Sequence, residues 1–129
     1  RFSPPWIVVA AMAVASLRWA LVAWFTNPWL LTAVQLTHGL VFGAFWIASV
    51  EWLRRMAPVE IRASAQMALP VLGYGIGPIF TGIIARYLVP EHGTSALFWV
   101  SSGTALVAAL LATIAAIQGK GSKPPRHAE

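Results

Sequence analysis

Cysteine is missing from all 129 residues, so neither a disulfide frame nor a thiolate metal site can form. Charge is scarce as well. Asp and Glu together number 4, and charged residues make up 10% of the chain, against about 25% in an ordinary soluble domain. H-E-x-x-H, P-loop and G-x-S-x-G patterns are absent, and no acids cluster at ligand spacing. No metal, no cofactor and no membrane-embedded enzyme are therefore expected. The 9 Lys and Arg residues give a net charge of +5, but they gather where apolar blocks stop and do not cover one surface. That pattern speaks against a nucleic-acid partner. No secretory leader is visible, because the first apolar block is too long and lacks a small-residue exit. The chain opens on Arg1 and is expected to be an excised or processed piece.

What the chain has is apolar length. Hydrophobic residues make up 58% and the mean hydropathy is +0.70. The apolar residues come in four blocks, each longer than the ~18 residues that suggest a membrane span. The expected fold is all-α and polytopic, with four transmembrane helices at about 5–26, 29–53, 61–88 and 95–118. Pro4 and Pro5 suit a helix start, and Thr26-Asn27-Pro28 reads as a stop and turn. Pro58 and Glu60 suit the first turn of the next helix. Val89 to Thr94 reads as a polar loop, and residues 119–129 as a disordered basic cytoplasmic tail.

Orientation follows from the loops. Arg1, Arg54, Arg55, Arg62, Lys120, Lys123 and Arg126 fall on one side, and Arg86 on the other. Positive charge favours the cytoplasm, so both ends of the chain are expected there. Trp6 and Trp52 near one side, with Trp24, Trp29 and Trp99 nearer the other, fit two interfacial belts.

Arg18 and His38 stand inside apolar blocks, with Pro28 midway between them. Two antiparallel helices turning at Pro28 would bring both to about the same depth. Ionisable groups at that depth are costly and mark functional pathways. On the second span Gln35, His38, Phe42, Phe45 and Ser49 recur at steps of three and four, so they project to one side. Arg can clamp a carboxylate or hydroxyls, and His can exchange a proton near neutral pH. Arg18, His38, Gln35, Phe42 and Phe45 are the candidate solute-binding or proton-coupling residues. The alternatives are that Arg18 pairs with an acid outside this chain, and that His38 and Gln35 hold helices together.

Gly39 and Gly43 form one G-x-x-x-G, and Gly73 and Gly77 another, which suits close helix packing. Pro70 and Pro78 can bend the third span. Glu51 is expected to pair with Arg54 or Arg55, and Glu60 and Arg62 belong to the short cytoplasmic loop.

The run from Gln35 to Phe45, followed by Arg55-Met56-Ala57-Pro58-Val59-Glu60-Ile61-Arg62-Ala63-Ser64-Ala65-Gln66, resembles proton-linked permeases of the major facilitator superfamily. The likeness covers about residues 5–118 and is nearest to the 3-phenylpropionate transporter and lactose permease-like branch. It implies that the chain holds helices nine to twelve of a twelve-helix fold, within the C-terminal six-helix domain. It also implies a midplane site that opens alternately to each side. On this resemblance Arg18 and His38 match the Arg of helix nine and the His of helix ten. That permease carries a carboxylate three residues after its His, where this chain has Val41.

The expected function is therefore solute transport across a bacterial inner membrane, coupled to protons. The expected partners are a small-molecule solute, the lipid bilayer and the remaining helices. A small four-helix membrane scaffold or accessory subunit is the alternative.

Overall fold

The computed structural model describes residues 3–119; the expected basic tail lies, beyond residue 119, outside the described residues. Helix α1 spans Pro4–Trp24, with prolines in its first two positions and the carbonyl of Ser3 accepting from the Trp6 and Ile7 amides. A proline costs nothing there, since first-turn amides have no partner inside the helix. At the far end Phe25 turns extended while its amide still reaches Leu21. Asn27 then opens α2, Pro28–Met56, its Oδ1 accepting from the Trp29 amide at 2.9 Å.

A short 3-10 turn, Val59–Ile61, leads into α3, Arg62–Pro70. The winding then loosens into a π turn, Val71–Ile76, before α4, Gly77–Gln118. Prolines explain where it loosens. Pro78 follows the π turn, and in a tight α-turn its ring would press on the carbonyl four residues back. The Gly77 amide bonds the carbonyl of Leu72, five residues back. A Cβ on Gly77 would lie 3.2 Å from that same oxygen, so the wide turn fits around glycine.

Among the described residues three helical stretches are long and apolar enough to cross a membrane: Pro4–Trp24, Pro28–Met56 and Val59–Gln118. The first, at about 1.5 Å per residue, matches the ~30 Å apolar core of a bilayer. The third, at 60 residues, would be about three times too long if straight. It is broken at Gly93, which takes φ 75° and ψ 173°. Only glycine adopts that conformation without strain. Helix α4 thus has two limbs, 77–92 and 94–118. The polar loop expected from Val89 to Thr94 is narrower than its composition suggests: Pro90, Glu91 and His92 stay helical, and one residue carries the turn.

Contacts between helices fix the directions. Ser16 meets Ser102, Trp19 meets Phe98 and Ser95 meets Ala23, so α1 and the limb 94–118 run antiparallel. Arg18 meets Gln35 on α2, and Gln66 meets Val50. The four antiparallel rods therefore stand with α1 between α2 and the limb 94–118, and α2 beside α3 and the π turn.

The buried apolar residues among those described are Val8, Ala11, Ala48, Ala109 and Ala116. Four of the five are alanines. Small side chains let helix backbones approach closely where lipid, not water, surrounds them. Large side chains such as Leu36, Leu40, Ile47 and Trp29 face outward. A water-soluble domain of this size would hide them.

Candidate functional site

Arg18 is the most buried charge in the described chain, 4% exposed. Helix α1 places it six residues before Trp24 and two residues after Ser16, on the side that packs against neighbours. Its Nη1 donates to Gln35 Oε1 on α2 at 2.7 Å. The guanidinium carbon lies 4.0 Å from the ring centre of Trp19, a distance at which the ring face attracts a cation. Its Nε is buried and has no hydrogen-bond partner among the described residues. No acid pairs with it among the described residues. An unmet donor in a low-dielectric setting is costly, so this guanidinium is chemically disposed to take an anion or a hydroxyl oxygen.

From Gln35 a stripe continues along α2. His38 is exposed, and its ring lies 5.8 Å from Phe42. Phe42 in turn lies 6.0 Å from Trp46, stacked at 23°. Tyr74, carried by the π turn, completes the cluster at 6.4 Å from Phe42 and 6.0 Å from Trp46. These separations fall in the range where aromatic rings attract.

The structure thus brings Arg18 and Gln35 together, and His38 and Phe42 together. No hydrogen bond joins Arg18 to His38 among the described residues; Gln35, one turn before His38, is the step between them. Phe45 is half-buried on α2 without a ring partner among the described residues. Trp46 and Tyr74 complete the ring cluster around Phe42. The four-residue step from Phe42 to Trp46 carried that signal, but Tyr74 came only with the fold.

Gly39, Gly43 and Gly73 face open space: a Cβ at any of them would meet nothing within 4 Å among the described residues. Pro70 ends α3 and Pro78 opens α4, bracketing the π turn. At the α2 end Glu51 binds both arginines. Oε2 and Oε1 accept from Arg54 Nε and Nη2 at 2.6 and 2.8 Å, and Oε1 accepts from Arg55 Nε at 2.7 Å. The two cations also suit the negative end of the helix dipole. Arg62 Nη2 reaches the carbonyl of Ala57 at 3.5 Å, while its Nε is buried without a partner among the described residues. Glu60 stands exposed in the 3-10 turn.

One feature escaped the sequence altogether. Ser16 Oγ donates to the carbonyl of Ser102 at 2.9 Å, and Ser102 Oγ donates to the carbonyl of Ser16 at 2.8 Å. This reciprocal clasp is buried between α1 and the limb 94–118. A serine among alanines was the available hint.

Comparison with known proteins agrees with a membrane-embedded helical chain. The uncharacterized transporter YwbF of Bacillus subtilis (strain 168) is 26% identical over 84 residues, covering 64% of this chain and 21% of the relative. The chain thus spans about a fifth of the length of that curated relative. No solved structure gives a significant match. The model of the MFS_1 like family matches residues 1–100, and with its long apolar helices the chain belongs to that family as part of an integral membrane protein.

Proposed function

We propose that this chain is the C-terminal third of a twelve-helix secondary transporter, its four rods being helices nine to twelve. The whole protein moves a small organic solute across a bacterial inner membrane by alternating access, coupled to protons. Both ends of the chain face the cytoplasm, on the side where Arg54, Arg55 and Arg62 gather. Membership of the MFS_1 like family supports this reading, as does a relative that bears the name of a transporter.

One observation carries the reading. Among the described residues Arg18 is buried, held by a single glutamine, and keeps an unmet Nε donor. A transporter needs such a group, because a fully neutralised cation has nothing left to offer a solute. Arg18 orients an anionic or hydroxylated group, with Gln35 fixing the guanidinium. His38, Phe42 and Phe45 belong to the same path, His38 as its proton-exchanging member. Gly39, Gly43, Gly73 and Gly77 serve the close approach of the remaining helices.

The test is a solute screen on the full-length protein in proteoliposomes, with and without a pH gradient. Arg18→Ala should insert normally and lose about tenfold or more of the uptake, the scale of one lost charge-assisted bond. Normal uptake by that variant removes Arg18 from the mechanism. His38→Gln should keep downhill exchange and lose the response to the pH gradient; an undiminished response removes His38.

A further inference from the structure

The π turn is the place where the third rod departs from regular winding, and it faces the aromatic stripe of α2. Three observations meet there. Pro70 and Pro78 bracket the turn, so the carbonyls of Gln66 and Tyr74 lack the amide that would lie four residues on. The turn is closed by a five-residue bond from Gly77 to Leu72, around a glycine whose Cβ would crowd that oxygen. Tyr74, near the middle of the turn, rests its ring against Phe42 and Trp46. The Tyr74 hydroxyl makes no hydrogen bond among the described residues, so the ring alone holds the contact.

We propose that the π turn Val71–Ile76 is a hinge in the third rod, and that the Tyr74 ring seated on Phe42 and Trp46 is the catch that holds it in one of two positions. A helix bends most readily where a proline or a π turn has already removed regular bonds. Here both occur within nine residues, 70–78. Tightening the turn shifts the bond register and rotates the limb 77–92 about its own axis, with a kink at Pro78 keeping its ring off the Tyr74 carbonyl. That rotation lifts Tyr74 off the stripe. The contact is apolar and undirected, so it can break and re-form without stranding a polar group in the bilayer. The inference stands whether or not Arg18 meets the solute, because it concerns how the third rod moves.

The test uses the full transporter that carries this chain, reconstituted in nanodiscs. These 129 residues hold no cysteine, so Leu40→Cys and Ile79→Cys place one spin label on α2 and one beyond the turn, with any cysteine elsewhere in the protein replaced by serine. Electron–electron distance measurements should give two separations in the parent protein. Pro70→Ala combined with Pro78→Ala restores both missing amides and should collapse them to one. Tyr74→Ala should shift the ratio of the two populations about fivefold, the scale of a lost ring pair. Tyr74→Phe keeps the ring and should match the parent. Should Tyr74→Ala not fold, Tyr74→Leu replaces it with the same expected shift. A single separation in the parent overturns the hinge, as does a double-proline variant that keeps both. A Tyr74→Ala or Tyr74→Leu ratio equal to the parent overturns the catch.

Discussion

Two seams in this molecule are built from different chemistry. Between α1 and the limb 94–118, Ser16 and Ser102 exchange hydrogen bonds at 2.9 and 2.8 Å. Trp19 stacks on Phe98 at 5.6 Å, and Ser95 donates to the carbonyl of Ala23 at 3.1 Å. Between α2 and the third rod, rings at 6.0–6.4 Å do most of the joining, with one long bond from Gln66 to the carbonyl of Val50 at 3.5 Å. In lipid there is no hydrophobic force between helices, so packing and hydrogen bonds decide which contacts hold. The first seam has direction and register. The second has one long directed bond and otherwise only ring contacts, which suits sliding.

Four variants would break or sharpen this contrast. Ser16→Leu drives a branched side chain into the clasp and should have the largest effect, about 1–3 kcal/mol by overpacking. Steric-trap unfolding in bicelles reads it, and an unchanged stability would show that the first seam has slack. Removing both hydroxyls, Ser16→Ala with Ser102→Ala, should cost less. Each interhelical bond in a membrane averages about 0.6 kcal/mol, and a double-mutant cycle should show the two coupled. Trp46→Ala should weaken the second seam by about 0.5–1.5 kcal/mol through its ring pairs and raise alkylation of a cysteine at position 74. If it instead loosens a cysteine pair across Ser16 and Ser102, the seams are not independent. Glu51→Gln should be the mildest change, because the carboxylate and both arginines stand at the exposed end of α2 and salt screens such pairs. Its effect on stability should vanish in high salt.

The helices were legible because apolar blocks of this length have few other uses. Proline and asparagine at 27–28 carry their turn chemistry locally, and the first turn falls there. Arg18 was legible as a buried charge, since nothing in the sequence near it could keep it in water. The rest depended on contacts between residues far apart in the chain. Ser16 and Ser102 are 86 positions apart, and serine alone is too common to announce a clasp. Trp46 lay beside Phe45, and a stripe drawn at steps of three or four could pass through either; only Tyr74, brought in by the π turn, picks out Trp46. Prolines at 70 and 78 pointed to irregularity but not to its winding, which follows from where the Gly77 amide finds its acceptor.

The reversal at Gly93 has a mechanical result. A single residue spans the gap between two membrane-length rods, and successive Cα atoms stand only about 3.8 Å apart. The outer tip of the limb 77–92 is therefore leashed to a neighbour that is itself buttoned to α1. Swinging at its middle, such a rod can twist like a key but cannot swing its tip outward like a door. Lengthening the leash with a few inserted glycines after Gly93 would uncouple the tip and turn twisting into drift.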